Sequence, residues 1–262
     1  MPQKTSLFII FLLIGCFSTC GITHAAAYAD RSGIERSSRR LPEREKLVYE
    51  VKWLGLPVGK ATAIIHGIKE MSGRPAYELE ITAKTNDFCS AIYRVEDRYV
   101  SYLDVEGLYT VRHEVYRREG RYKKDAVTVF DQVNHKAYFK NLLDKSEKVV
   151  DIPAGTQDPV SMAYYFRLVP IQEGRREEFF VYNNESVYRL YGDMGRKQMI
   201  RMPHFGNIEV FKVQPYAILN NKVVKKGKAK IYFSYDYRQI PVKAVVEGPV
   251  FTSVSGYLVK SE

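Results

Sequence analysis

Residues 158–170, DPVSMAYYFRLVP, decide the fold of this chain, because they predict one short helix that is apolar on nearly every side. Asp158 is a residue type that caps helix N-termini, Pro159 suits the first helical position, and Pro170 ends the helix. Beyond the cap, only one serine and one arginine are strongly polar. A helix that is apolar all round is normally buried. We therefore predict a central helix over about 158–169, packed against or inside the concave face of a sheet.

The sequence around this helix is dominated by short stretches in which apolar and polar residues alternate, the pattern of half-buried β-strands. The stretch 47–53, LVYEVKW, places four apolar side chains on one face, and residues 76–84 repeat the pattern. About a dozen such stretches follow one another, with turn residues between them and few signals for connecting helices. This spacing favours antiparallel meanders over a parallel α/β sheet. We predict a mainly β fold: a single antiparallel domain of about a dozen strands that forms a barrel or strongly curved sheet.

Length and composition agree with a folded protein. The chain has 262 residues, of which 45% are hydrophobic and 27% are charged. These fractions exclude a disordered, collagen-like or disulfide-scaffold protein. We divide the chain into a signal segment (1–29), a flexible charged leader (30–45) and a single β-rich domain (46–262).

The first 29 residues have the features of an export signal. Lys4 supplies a short positive region, residues 7–14 are apolar, and several alanines follow before residue 30. The apolar run is shorter than the ~20 residues that a membrane-spanning helix needs. Residues 13–16, LIGC, also match a bacterial lipobox, in which Cys16 would be lipidated. Both processing routes stay open, so the predicted location is exported and periplasmic, or anchored to the outer membrane if Cys16 is lipidated.

Motifs that carry catalysis or metal binding are missing from the sequence. There is no G-x-S-x-G nucleophile elbow, no G-x-G-x-x-G loop and no Walker phosphate loop. The five histidines are too scattered for a local metal pair. We therefore predict no catalytic residue, no metal, no cofactor and no enzymatic activity. Strand carboxylates leave open a hydrolase that works through a pair of acids, and the candidates are Glu78, Glu80, Asp97 and Asp236.

Part of the formal net charge of +10 lies in two basic clusters, around Gly120 and Gly227. One interpretation is a pair of solvated hairpin tips, and the other is contact with an anionic surface such as lipid headgroups. The predicted contact residues are Arg117, Arg118, Arg121, Lys225, Lys226 and Lys228. Export argues against nucleic acid as a partner. We expect membrane contact to be peripheral, or to occur through a lipidated N-terminus.

Four segments together resemble one protein family. They are 46–53 with Gly59-Lys60-Ala61, 93–98 (YRVEDR), 157–167, and 233–242 with its Phe-Ser-Tyr-Asp. Their order and spacing are similar to those of domain-of-unknown-function family 3108, which comprises exported, β-rich proteins of Gram-negative bacteria. The resemblance covers about residues 44 to 260 and implies a mainly antiparallel β protein with no assigned activity. Tyr235 departs from the pattern, because an acidic residue is expected there.

Three functions stay open at this point. The leading hypothesis is a non-enzymatic envelope protein that binds a hydrophobic or lipid-like ligand, by analogy of fold with periplasmic lipid carriers. Its predicted ligand contacts are Trp53, Met162, Tyr165, Phe166, Arg167 and Phe233, with Arg167 as a counter-ion at the cavity edge. The alternatives are a structural or interaction protein with a filled core, which docks on another envelope component, and a glycan-acting hydrolase.

Overall fold

The structure, a computed structural model, describes residues 39–219, 222–223, 228–247 and 253–262. The predicted signal segment lies outside the described residues, as do three residues with a predicted role: Cys16, Lys225 and Lys226. The strands are β1 (Glu45–Trp53), β2 (Leu56–Met71), β3 (Arg74–Thr85), β4 (Glu96–Asp104), β5 (Thr110–Glu119), β6 (Tyr122–Asp131), β7 (Lys136–Asn141), β8 (Glu147–Asp151), β9 (Arg176–Asn183), β10 (Ser186–Met202), β11 (Gly206–Leu219), β12 (Lys222–Val223), β13 (Lys228–Ser234), β14 (Pro241–Glu247) and β15 (Ser253–Ser261). The helices are α1 (Asp87–Ile92) and α2 (Pro159–Leu168).

The described strands belong to one sheet, and their order follows the chain closely. Strands β1 to β8 pair in sequence, β1 also pairs with β15, and the sheet continues through β14, β13, β11 and β10 to β9. The short β12 pairs with β11. All these pairs are antiparallel. Two meanders joined at β1 and β15 therefore make up the sheet, and the predicted mainly β, antiparallel fold is confirmed.

A main-chain bridge and an aromatic contact connect the two ends of the sheet. Strands β8 and β9 are the edges, and the chain between them carries Gln157, which forms an isolated parallel bridge with Val181 of β9. The ring of Phe130 on β6 meets the ring of Tyr182 on β9 at 5.5 Å, edge to face. The sheet is thus curved enough to enclose an interior, as a barrel or strongly curved sheet requires.

Helix α2 lies in this interior, as the apolar sequence predicts. All its residues from Val160 to Leu168 are buried, and the ring of Phe166 packs 4.9 Å from that of Phe179 and 5.8 Å from that of Phe233. Each fully buried large apolar side chain contributes about 1.5–3 kcal/mol to stability before entropy is counted. The predicted central helix is confirmed.

Polar groups satisfy both buried ends of α2. At the N-terminus, the carboxylate of Asp158 accepts hydrogen bonds from two main-chain N–H groups of the helix and from the Thr110 hydroxyl, the last at 2.8 Å. At the C-terminus, Nε2 of Gln239 donates to the carbonyl oxygens of Phe166 (2.8 Å) and Val169 (2.9 Å). Helix ends leave backbone N–H and C=O groups without intrahelical partners. The side chains of Asp158 and Gln239 provide hydrogen-bond partners for these groups inside the protein.

A buried ion pair joins α2 to the start of the sheet. The guanidinium of Arg167 donates to both carboxylate oxygens of Glu45, at 2.6 and 2.9 Å, and the two side chains are 2% and 6% exposed. Glu45 opens β1, and Leu41 before it is buried in the core. Residues from Leu41 onward therefore belong to the folded part, although the sequence places 30–45 in a flexible leader. The polar sequence of residues 30–45 favours a flexible leader. The ion pair between Glu45 and α2 nevertheless holds the end of this segment in the fold.

Breaking this pair should cost much more than breaking a surface pair of the same geometry. We expect Arg167→Met to lower the free energy of unfolding by about 3–5 kcal/mol, because it leaves Glu45 buried without a partner. The double variant Glu45→Leu/Arg167→Met should recover most of that loss. Arg189 also binds a glutamate with two hydrogen bonds but is exposed, so Arg189→Met should cost less than about 1 kcal/mol. Urea denaturation measures all three, and equal losses for the two single variants would contradict the assignment.

Candidate functional site

An apolar cavity lies between α2 and strands of both meanders. The space open to the centre of a water-sized sphere is about 60 Å³. Its lining comes from the middle of the sheet and from one face of the helix, and includes Leu47, Tyr49, Val51, Ala61, Ala63, Ile81, Ala83, Ala163, Tyr164, Arg167, Ile231, Phe233 and Ala244. Protein interiors rarely leave voids of this size, so the residues that make it need an explanation.

Small residues at inward positions of the sheet create this cavity. Gly59, Ala61 and Ala63 occupy alternate positions of β2, and Ala61 pairs with Ala83 on β3. Alternate positions of a strand face the same side, so a patch of the inner wall carries no side chain longer than a methyl group. Ala163 faces the same space from α2. The signal in the sequence is the run of small residues at 59–63, GKATA, which the predicted ligand contacts do not include.

One buried polar atom in the cavity lining lacks a partner. Tyr164 is buried, and within the described residues its hydroxyl makes no hydrogen bond. By contrast, the Tyr49 hydroxyl nearby donates to the carbonyl of Pro241 at 2.9 Å. Burial raises the pKa of Tyr164, so the group stays a neutral donor. A buried hydroxyl without a partner costs about 1–3 kcal/mol, and the group is therefore suited to bind a polar atom of a ligand or a water molecule.

The residues predicted to contact a ligand separate into three groups. Arg167 and Phe233 line the cavity, although the guanidinium of Arg167 is neutralised by Glu45. Trp53 stands at the end of β1 with 38% of its surface exposed, away from the cavity lining. The remaining three do not line the cavity and pack in a buried apolar cluster to which Phe233 also belongs: Met162, Tyr165 and Phe166. They occupy the opposite face of α2 from Ala163 and Tyr164.

A second, more polar pocket lies beside the N-terminal end of α2, with about 50 Å³ open to the centre of a water-sized sphere. Inward side chains of β3 to β7 and the hairpin between β9 and β10 surround it. Its polar lining residues are Tyr99, His113, Arg117, Lys124, Thr128, Tyr182, Asn183, Asn184 and Glu185. Burial lowers the pKa of Lys124. We refer to this space as the polar pocket and to the first one as the apolar cavity.

The first basic cluster is less exposed than its sequence indicates. Arg117 is buried and donates to Oε1 of Glu119 from Nε (3.1 Å) and from its terminal nitrogen (2.8 Å). Arg118 points outward and binds both oxygens of Asp125, while Arg121 is exposed. Arg117 is therefore not available to an external anionic surface, because alternation along β5 turns it inward. Lys228, in the second cluster, is the first residue of β13.

The strand acids do not form an accessible catalytic pair. Asp97 meets a second acid, Glu119, but both side chains are almost fully buried and neither lines the apolar cavity or the polar pocket. Glu78 and Glu80 instead pair with Lys69 and Arg98. Asp236 accepts hydrogen bonds within its own turn. A glycosidase needs two carboxyl groups that flank the bond to be cut, and this arrangement does not fit.

A buried aspartate, histidine and serine also meet near the N-terminus of α2, but not as a nucleophilic triad. Nδ1 of His113 lies 3.3 Å from the carboxylate of Asp158. Ser101 shares a hydrogen bond of 2.6 Å with Ser161 and donates to Asp158. A triad requires the serine to donate to the histidine, and here both hydroxyls serve the helix cap instead.

Two further observations concern only the described part of the chain. There, no three His, Cys, Asp or Glu side chains are grouped so that they could hold a metal ion. Among the same residues, neither helix is long and apolar enough to cross a membrane.

Comparison with known proteins gives a family and a fold. The profile of the family described as "Protein of unknown function (DUF3108)" matches residues 48–254. Among solved structures, the crystal structure of a beta-barrel-like protein of domain of unknown function DUF1849 from Brucella abortus is similar, with a TM-score of 0.55 and 11% sequence identity. The match covers 85% of this chain and 98% of that one. At this identity the likeness establishes the fold alone.

Two other solved structures match with lower scores. One is a predicted exported protein with a YmcC-like fold from Bacteroides fragilis, with a TM-score of 0.32, 10% identity, and coverage of 87% of this chain and 99% of that one. The other is a predicted lipoprotein from Parabacteroides distasonis, with a TM-score of 0.33, 8% identity, and the same coverage of 87% and 99%. No curated protein sequence matches this chain.

The buried acid Asp97 should make stability depend on pH. Burial, followed by the hydrogen bond with Glu119, raises the pKa of Asp97 to about 7, whereas the unfolded chain releases this proton near pH 4. The folded state therefore binds more protons between about pH 4 and 7, and the free energy of unfolding falls as the pH rises through that interval. We expect a loss of about 1–3 kcal/mol between pH 5 and pH 8 in urea titrations.

The variant Asp97→Asn should lose much less stability over the same interval, because it has no proton to release. Asp131 is a turn carboxylate whose hydrogen bonds with Asn134 lower its pKa, so Asp131→Asn should keep the pH dependence of the unmodified protein. Equal pH dependence in the Asp97→Asn variant and the unmodified protein would show that this carboxyl is not the cause.

Proposed function

This chain belongs to the DUF3108 family, described as proteins of unknown function, and we propose that it binds a hydrophobic, lipid-like ligand and is not an enzyme. The observation that carries the proposal is the apolar cavity, whose wall of small residues faces α2. Apolar surface removed from water gains roughly 25 cal/mol per Å². A chain of methylene groups could therefore bind in this cavity without any specific polar contact.

Two features of the interior, its open space and its unpaired Tyr164 hydroxyl, favour ligand binding over a purely structural role. A structural or interaction protein needs only a filled core, and a filled core would place larger side chains at Ala61, Ala83 and Ala163. The Tyr164 hydroxyl would also be expected to have a partner. Both features are accounted for by a ligand that has an apolar chain and at least one polar atom.

We place the ligand and the protein in the cell envelope. The proposal of export is supported by the apolar run at residues 7–14 and the alanines that follow it. Cleavage would give a periplasmic protein, and lipidation of Cys16 would give one anchored to the outer membrane. In either case the lipid-like ligand comes from a membrane surface, so the protein must contact that surface.

An apolar rim at one end of the sheet suits this contact. We define the rim as Leu54, Leu56, Phe88 and Ile92, whose side chains are between 53% and 79% exposed. Asn86 joins the two segments, because its side chain donates to the Pro57 carbonyl at 2.9 Å. Exposed cations flank the rim, namely Lys60, Lys84 and Arg94, of which Lys84 and Arg94 also pair with the exposed Glu96. Apolar side chains with cations beside them match a bilayer that contains anionic lipids, and we propose this bilayer as the partner, although the exposed Asp87 also lies within the rim.

Filling the apolar cavity should abolish ligand binding. We expect Ala163→Leu and Ala244→Leu to weaken the binding of the fluorescent apolar probe N-phenyl-1-naphthylamine at least about tenfold, since leucine occupies the space that the probe needs. Val245 lies next to Ala244 but faces outward on β14, so Val245→Leu is the matched control and should bind like the unmodified protein. Native mass spectrometry of protein from its own envelope gives a second readout. If the filled variants bind the probe normally, or the unmodified protein does not bind it, the proposal is wrong.

Charges placed on the rim should release the protein from membranes. We expect Phe88→Asp/Ile92→Asp to reduce co-sedimentation with phosphatidylglycerol-containing vesicles at least about fivefold, because carboxylates oppose both burial in lipid and the anionic surface. Val133 is 87% exposed in the turn after β6, at the other end of the sheet. Val133→Asp is therefore the control and should sediment as before. Equal sedimentation of all three proteins would remove the rim from the proposal.

A further inference from the structure

An inward-facing lysine is the unusual feature of the polar pocket. Neighbouring lysines on β6 point to opposite sides: Lys123 is exposed, whereas Lys124 faces the interior, where its side chain is only 14% exposed. Its ammonium lies 3.8 Å from Oε1 of Glu185 and 5.1 Å from the centre of the Phe139 ring. Neither contact is a hydrogen bond. Burying a charge costs free energy unless it is paired and hydrogen-bonded, so this site is built for an additional acceptor.

A second donor without a partner belongs to a residue that lines the same pocket from a different element. Asn183 belongs to the hairpin between β9 and β10 and lines the polar pocket. Its Nδ2 is buried and, in the described part of the chain, has no hydrogen-bond partner. A buried donor without a partner is rare in folded proteins. Lys124 on β6 and Asn183 at the end of the edge strand β9 therefore place donors beside one space, and the chemistry that satisfies both is an oxygen anion.

The other charged groups around this space already have partners. Arg117 is bound by Glu119, so it contributes little attraction. Glu185 lies between two cations, because its Oε2 is also 3.8 Å from the ammonium of Lys148. When Lys124 binds an anion, Glu185 keeps Lys148 as a partner.

The polar pocket and the apolar cavity adjoin each other. Ile81 lines both of them, and it is only partly buried although its neighbours on the same face, Leu79 and Ala83, are buried. On α2, Val160 lines the polar pocket and Tyr164, one turn later, lines the apolar cavity. A ligand that passes between Ile81 and this face of the helix can reach both spaces.

We propose that the ligand is a single-chain amphiphile with an anionic head, which binds Lys124 and Asn183 while the chain lies in the apolar cavity. This inference rests on the proposed function and specifies its ligand. The geometry requires an oxygen anion at one end, which a fatty acid supplies as a carboxylate and an alkyl phosphate supplies as a phosphate.

Three ligands with the same chain test the inference: palmitate, hexadecyl phosphate and hexadecanol, each titrated by displacement of the fluorescent probe at pH 7.5. We expect at least one of the two anions to bind about tenfold or more tightly than the alcohol, because a charge-assisted hydrogen bond is worth at least that ratio. Lys124→Met should lose this preference and leave the affinity for hexadecanol within about threefold. Lys123→Met, the outward neighbour on the same strand, should keep the preference.

The outcomes separate the two proposals. If none of the three ligands binds, the proposed function fails. If all three bind equally and Lys124→Met changes nothing, the apolar cavity holds the ligand but the anionic head is wrong. A preference for palmitate alone or for hexadecyl phosphate alone identifies the head group. Asn183→Ala, which removes the second donor, should weaken only the anions and supports the same conclusion if Lys124→Met does not fold.

Discussion

The interior of this protein depends on the buried pair of Arg167 and Glu45. A helix inside a curved sheet is stabilised when its apolar side chains leave water. A charged side chain that is buried with them costs roughly several kcal/mol unless it is paired. Glu45, the first residue of β1, neutralises the single cation of α2. Asp158 and Gln239 satisfy the two ends of the same helix. Three fixed polar contacts therefore set both the position of α2 and its rotation about its axis.

That rotation decides where the interior is full and where it is open. The face of α2 that carries Phe166 meets an aromatic cluster, and Gly192 on β10 accommodates it, because a Cβ there would lie 3.0 Å from the Phe166 ring. The opposite face carries Ala163 and Tyr164 and meets the small residues of β2 and β3. The helix and the sheet therefore pack tightly on the Phe166 face of α2 and leave open space on the Ala163 face. The proposed ligand site is a consequence of how the helix is held.

The fold was predictable from the sequence, whereas the site was predictable only in part. Alternation along each strand and the all-apolar helix are local patterns, and both lead to the observed architecture. Of the predicted contacts, Arg167 and Phe233 line the apolar cavity. A helix that is apolar on every side does not indicate which face meets an open space, so the sequence predicts ligand contacts on both faces of the helix. Alternation along β5 and β6 turns Arg117 and Lys124 inward, whereas their clustering at one hairpin in the sequence suggests an exposed surface.

By itself the sequence determined the mainly β class, the antiparallel arrangement of the sheet, the burial of α2 and the chemical features of an export signal. These follow from periodicity among residues close together in the chain, which sets the face of each side chain. Only the tertiary structure decided that Glu45 meets Arg167, 122 residues away, and that Lys124 and Asn183 line one pocket. The reason is that the curvature of the sheet brings distant strands together, and neither local propensity nor pattern specifies how far a sheet curves.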